Sequence, residues 1–258
     1  MLTRLLFLCA VLPLVSVAAA QDFRVYTTVR ADESSEVLSR SLTLFHAGRT
    51  YDQIEKVGEV VIGDPAHGRF TLIRHGTVGT RVTAEELTHF RRVGRDETRR
   101  YAEQLLADSA EADSARSLLF QIDPRFRVRE SAGRLTLEST PWTYNVQTAR
   151  PAAAEHAAVY ADYADRAATL NYVLHPQSFF PAAREALNEE LRTRGLVPTK
   201  INLGVRMGQP VRLTAEHRFD WSLHPSDRSL IQKWERMADS PDLEWVGFRE
   251  YQSRLMTE

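Results

Sequence analysis

From Val211 to Leu223 the chain alternates for thirteen residues without a break. Val211, Leu213, Ala215, His217, Phe219, Trp221 and Leu223 face one way, and Arg212, Thr214, Glu216, Arg218, Asp220 and Ser222 face the other. Only an extended strand, with its two-residue side-chain period, sorts such a run into one apolar and one polar face. A long strand of this kind commits the chain to a sheet that buries one side.

The rest of the chain reads as three blocks of strands alternating with helices. Phe23, Val25, Thr27 and Val29 alternate with Arg24, Tyr26, Thr28 and Arg30, and strands over 38–45 and 49–54 follow, joined at Ala47-Gly48. Strands at 60–63, 69–75 and 80–82 complete the first block. Thr83 with Glu86 three residues on is a capping box. It opens a helix striped by Leu87, Phe90, Tyr101 and Leu105 and interrupted at Gly94. Residues 107–115 read as a solvated connection, and Leu118, Leu119 and Ile122 as a short amphipathic turn ending at Pro124. In the second block, Phe126 and Val128 precede a turn at Ala132-Gly133; Leu135 and Leu137 follow it, and Trp142, Tyr144 and Val146 come next. Val159, Tyr163, Ala167, Leu170 and Leu174 then stripe a helix that Pro176 ends. A further helix runs from Pro181 to a glycine stop at Gly195. Ile201, Leu203, Val205 and Met207 turn at 208–210 into the long strand, and a last helix, capped by Ser226 or Asp227, carries Leu230, Trp234 and Met237.

Strands joined by short turns pair antiparallel. The expected fold class is therefore α+β: a curved, mainly antiparallel sheet of eight to ten strands, like an open half-barrel, with the inserted helices packed on one face. No fixed-period repeat and no long linker divides the chain.

The stretch GDPAHGRFTLIR, residues 63–74, predicts a four-residue hairpin loop on a type I turn. Pro65 presets φ, Gly68 supplies the left-handed conformation, and His67 sits between them as part of the turn. Pairing Asp64 with Arg69 sets Val61 opposite Leu72 and Val60 opposite Ile73, on opposite faces. Both faces are apolar here, which calls for a sheet covered on both sides or wrapped around a hydrophobic cavity.

The N-terminus reads as a targeting segment. Arg4 precedes an apolar run from Leu5 to Val17, and Ala18-Ala19-Ala20 offers a cleavage site before Gln21. The expectation is a signal peptide at 1–20 and a single domain at 21–258, periplasmic or secreted, with no permanent membrane anchor because the apolar run is too short to span a bilayer. Cys9 is the only cysteine, so a mature chain of about 238 residues, left when the first 20 of 258 are removed, holds no disulfide, thiol nucleophile or cysteine-based metal site. The 33 basic and 34 acidic residues give no field suited to nucleic acid. Lys56, Lys200 and Lys233 are the only lysines, and the many arginines are scattered, a bias that base composition explains.

No nucleophile elbow, P-loop, dinucleotide fingerprint, zincin helix or calcium loop occurs in the chain. The eight histidines show no ligand spacing, so no catalytic set, metal or cofactor is implied. His217, between Ala215 and Phe219 on the apolar face, is either a core histidine bonded to a neighbour or the polar group of an apolar pocket. In the second reading Trp142, Tyr144, His217, Phe219 and Trp221 line the pocket.

The segments SLTLFHAGRTYDQI, GDPAHGRFTLI, LNEELRTRGLVPTKINL and LTAEHRFDW together resemble a family of exported bacterial proteins of unassigned function. More distantly, the curved sheet with inserted helices is similar in topology to lipoprotein carriers, in which helices close an open half-barrel around acyl chains. That likeness implies a fold and transfers no residue roles.

Three functions stay open at this point. The first is an exported, non-catalytic protein that holds a lipid, acyl chain or other apolar ligand in the sheet interior. The second is a structural or partner-binding envelope protein with a solid core. The third is a hydrolase using His217 with Asp220 or Glu216, which strand alternation disfavours because both carboxylates point away from His217.

Overall fold

The computed structural model describes residues 22–31, 36–107, 111–175, 178–207 and 210–257. The segment read as a signal peptide at 1–20, Gln21, Pro176 and the first two residues of the turn expected at 208–210 lie outside them. Twelve strands form one sheet: β1 (Phe23–Ala31), β2 (Val37–His46), β3 (Arg49–Ile54), β4 (Glu59–Asp64), β5 (Arg69–Arg74), β6 (Val78–Thr83), β7 (Arg127–Ser131), β8 (Arg134–Glu138), β9 (Trp142–Ala149), β10 (Val197–Val205), β11 (Val211–Asp220) and β12 (Glu244–Trp245). The helices are α1 (Ala84–Leu106), α2 (Ala112–Ile122), α3 (Glu155–Leu174), α4 (Ala182–Arg194), α5 (Pro225–Ala238) and α6 (Phe248–Thr257).

The strand order is β12-β6-β5-β4-β3-β2-β1-β11-β10-β9-β8-β7, so the sheet is open. Every pairing is antiparallel except the short parallel contact of β12 with β6. Sequence neighbours pair within each half, as tight turns require. Ala47 and Gly48 both take positive φ between β2 and β3. The β4–β5 loop is a single 3₁₀ turn over Pro65–His67, in which the Asp64 side chain accepts from the His67 amide and Gly68 closes the turn at φ 55°. At the free β7 edge Arg127, Arg129 and Glu130 are exposed, a charged edge that discourages pairing with another chain.

Five helices lie on one face. α2 and α4 cover β8 to β11, where Phe120, Leu187 and Leu191 pack on Leu135, Leu137, Trp142 and Ile201. α3 covers the middle, with Ala157 and Tyr160 on Phe23, Val25 and Phe45. α1, α3 and α6 cover β4 to β6, where Leu87, Leu170 and Tyr251 meet Val61, Phe70 and Leu72. Gly94 does not break α1: a side chain there would strike the Tyr172 hydroxyl of α3, so the glycine lets the two helices approach.

α5 departs from the expectation of helices on one face. Ile231 and Trp234 pack on Leu44, Val60, Ile62 and Ile73, the opposite side of β2 to β5. That resolves the two-sided hairpin. Val61 pairs with Leu72 and Val60 with Ile73, as read from the turn, and β4 is buried at every position because helices cover both its faces. Other differences are local. α2 begins inside the stretch read as a solvated connection, because Ala115 and Ile122 are fully buried. The cap of α5 is His224, with Pro225 first in the helix and Asp227 accepting from the His224 amide at 2.8 Å. β12 and α6 follow the helix that the sequence reading placed last.

Trp234 is 2% exposed and carries much of the cover on the back of β2 to β5. Trp234→Ala should cost about 3–5 kcal/mol. An unfolding free energy from urea titration within about 0.5 kcal/mol of the native protein's would show that α5 is a dispensable cover.

Candidate functional site

Where β9, β10, β11 and β1 run side by side, their helix-facing side chains form a tiled floor. Tyr144 pairs with Leu203 and Leu203 with Leu213 in one row. Ile201 pairs with Ala215, and Ala215 with Val29, in the next. Because alternate residues share a face, the same strands present Thr143, Asn145, Asn202 and Arg212 to the other side, which no helix covers.

Between this floor and the connection from α3 to α4 lies an open cleft of about 430 Å³. Its far wall is Phe179, Phe180, Pro181 and Arg184. Phe179 meets Trp142 edge-on at 4.8 Å between ring centroids. Ala168 and Asn171 of α3 complete the rim, with the Asn171 amide donating to Ser178 Oγ at 2.8 Å. The lining is aliphatic and aromatic with few polar groups, and the volume falls in the ~300–1,000 Å³ range of small-molecule sites.

Those few polar groups converge. Arg184 donates from Nε to Asn188 Oδ1 at 2.9 Å, and the fully buried Asn188 is held in turn by Asp165 at 2.6 Å. Among the described residues no carboxylate pairs with Arg184. Its charge acts on Tyr144, Tyr160 and His217. Burial pushes the Tyr144 hydroxyl up to about 12 against the pull of Arg184, so it stays protonated. Trp142 is 2% exposed, and its indole N–H faces the Tyr144 hydroxyl without closing a hydrogen bond, leaving the donor enclosed and unpartnered.

The five residues expected to line a pocket do not share one. Trp142 and Tyr144, 6.1 Å apart, line the cleft. His217 lies farther along β11, its Nδ1 3.0 Å from Thr27 Oγ1 and 3.5 Å from the Tyr160 hydroxyl, with its Nε2 enclosed and unpartnered. Phe219 and Trp221 stack on each other at 5.1 Å, next to Tyr160, Phe23 and His156, in the core beneath the start of α3. His217 makes no dyad with the carboxylates of its own strand. Asp220 bonds His224 at 2.7 Å, and Glu216 pairs with Lys200 at 3.4 Å.

His67 bonds only Asp64 among the described residues, with its amide at 3.3 Å and its ring at 2.9 Å. Burial pushes the Asp64 carboxyl up, but His67 and Arg49 outweigh it and hold the group below its usual value. The pair fastens the hairpin turn.

Sequence reasoning missed Arg184 and two buried carboxylates. Arg184 sits three residues before Leu187 in the apolar stripe of α4, and that charge beside the stripe was the available signal. Asp52 accepts from Thr43 at 2.9 Å and Tyr163 at 2.8 Å, and Glu59 accepts from Tyr251 at 2.6 Å. Both carboxyls are raised, chiefly by burial. They line a space of only about 70 Å³ under α3, too small for more than water. Among the described residues no group of three or more acidic, histidine or cysteine side chains could hold a metal.

Comparison with known proteins adds no identity. No protein-family model matches the chain, and no curated protein does.

Burial, with the charge of Arg184 adding to it, pushes the His217 imidazole down to about 3 from its ordinary 6.5. The folded protein therefore keeps His217 neutral where the unfolded chain takes up a proton. Stability from this group is full above pH 6.5 and is lost as pH falls toward 3, with a slope of up to about 1.4 kcal/mol per pH unit. Asp52 and Glu59 act oppositely: their raised values give stability that is present at low pH and lost as pH rises. Both remain in His217→Gln, so urea unfolding from pH 4 to 7 should show the gap between native and variant narrowing toward acid. Parallel pH curves would show that His217 titrates alike in both states.

Proposed function

We propose that the protein is a non-catalytic binder of an amphipathic ligand, a lipid or single acyl chain, seated in the cleft over β9, β10, β11 and β1. The observation that carries this reading is the cleft of about 430 Å³, whose floor is Tyr144, Leu203, Leu213, Ile201 and Ala215 and whose wall is Phe179 and Phe180. Burial of apolar ligand surface there is worth roughly 25 cal/mol per Å² before the losses of immobilisation. The reading of residues 1–20 as a targeting segment supports a periplasmic or secreted setting for such a protein. The topological likeness to lipoprotein carriers agrees with a sheet that holds a chain on its helix-covered face, as fold-level analogy.

Two observations favour this reading over its rivals. A partner-binding protein with a solid core would present an apolar patch. Among the described residues the large exposed apolar side chains are Val93, Tyr101, Leu106, Trp245 and Met256, and Arg81 lies over the Trp245 ring at 4.0 Å. A hydrolase built on His217 would need Asp220 or Glu216 beside it, and both are engaged on other partners.

Protein purified without detergent should carry a non-covalent amphiphile in native mass spectrometry. Ala215→Trp, which fills the floor, should lose that mass while keeping the fold by circular dichroism. A native protein at its bare mass that also takes up no added acyl chain would sink the reading.

A further inference from the structure

We infer that the ligand carries an anionic head, a carboxylate or phosphate, and that Arg184 anchors it beside the Tyr144 hydroxyl while the chain lies on the aliphatic floor. The inference rests on the proposed cleft and specifies the chemistry of its occupant.

The argument begins with hydrogen-bond supply. Of the polar groups lining the cleft, Asn171 and Ser178 bond each other, and Arg184, Trp142 and Tyr144 can all donate. Arg184 brings five N–H groups and no acceptor. One of them goes to Asn188 Oδ1, and among the described residues none pairs with a carboxylate. Trp142 is a donor only, its side chain is 2% exposed, and its N–H has no partner. Tyr144 is 4% exposed, lines the cleft, and can donate its hydroxyl proton. A buried donor without an acceptor is a standing cost. The Trp142 N–H is enclosed, so an anionic oxygen entering the cleft is met by the free guanidinium N–H groups of Arg184 and by the Tyr144 hydroxyl.

Charge points the same way. Two other partly buried arginines of the helical layer are paired, Arg91 with Glu185 at 2.5 Å and Arg192 with Asp165 at 2.6 Å. Arg184 precedes the α4 members of both pairs, and its own partners, the Asn188 amide and the Tyr160 hydroxyl, are neutral. Asn188 donates to Asp165, which Arg192 already neutralises, so that carboxylate is not left to balance Arg184. The charged groups facing the cleft therefore sum to one cation. The guanidinium is planar and forked, and it binds carboxylate or phosphate with two parallel bonds. Its stem is pinned by Asn188 and α4, so its orientation is set before the ligand arrives.

The test uses the full mature protein and three probes of equal chain length: decanoate, decyl phosphate and 1-decanol, titrated calorimetrically at pH 8. Decanoate or decyl phosphate should bind at least ten-fold tighter than decanol, and the tighter of the two names the head. In Arg184→Gln the preference should collapse to within about two-fold while decanol affinity is unchanged; Arg184→Lys should keep part of it. Equal affinities for decanoate, decyl phosphate and decanol would overturn the anionic head and leave the amphipathic cleft standing. A preference that survives in Arg184→Gln would overturn the role of Arg184. Binding of none of the three would instead overturn the amphipathic reading on which the inference rests. The comparison among probes on the native protein decides the head chemistry even where a variant fails to fold.

Discussion

The structure depends on the pairing of β1 with β11. Thr27 sits opposite His217, 190 residues away, and the ladder runs from Arg24 with Asp220 to Ala31 with Leu213. Without it the sheet would fall into two antiparallel sets, β1 to β6 and β7 to β11, each built from neighbouring hairpins. Closing so long a loop is entropically costly, though the cost grows only as the logarithm of its length. It is offset by the apolar rows the seam brings together: Val25 beside Phe219, Val29 beside Ala215, and α3 laid across them. The cleft straddles this seam, drawing Val29 from one set and Leu213, Leu203 and Tyr144 from the other. The site therefore exists only in the assembled sheet.

The two sets are built differently. β4 and β5 are covered on both faces, by α1, α3 and α6 in front and α5 behind, and have the density of a solid core. β8 to β11 are covered on one face only, and their other side presents Thr143, Asn145, Asn202, Arg212 and Thr214. A one-sided set gains less burial and leaves its single helical layer to do all the packing. Among the described residues, Phe179, Phe180, Pro181 and Arg184 stand over this floor across an open cleft. The position of the cleft follows from this division of labour between rigid and open halves.

Much of this was legible in the chain. The alternation from Val211 onward, the register around Asp64 and Arg69, and the Thr83–Glu86 capping box are local signals, and local physics fixed them. What was not legible depended on tertiary choice. An amphipathic helix with one apolar stripe can dock on either side of a two-sided strand, so Ile231 and Trp234 did not announce that α5 goes behind the sheet. β12 has two residues and shows no period. Residues 112–115 are polar by composition, and only packing of Ala115 draws them into α2. The aromatic residues of one strand face were grouped because they share a face. Yet four residues of strand span about 13 Å, so Phe219 belongs to the core under α3 while Ala215 belongs to the cleft.

Arg184 shows what neither composition nor pattern can reveal. The arginines as a set carry no signal, because most end in ion pairs such as Arg192 with Asp165 or Arg254 with Glu244. Arg184 is set against aromatic and aliphatic walls of the cleft, with neutral groups, Asn188 and the Tyr160 hydroxyl, as its bonded partners. Taking a charge partly out of water without a counter-charge is expensive, and a hydrophobic side chain of similar volume would be the stable choice at that position. An apolar cleft alone holds an amphiphile without fixing which end enters first, since hydrophobic attraction has no direction. A single oriented cation at one end of the floor supplies that direction, and its penalty in the empty protein becomes attraction when an anion arrives. The stability given up at Arg184 is thereby turned into selectivity for the head of the ligand.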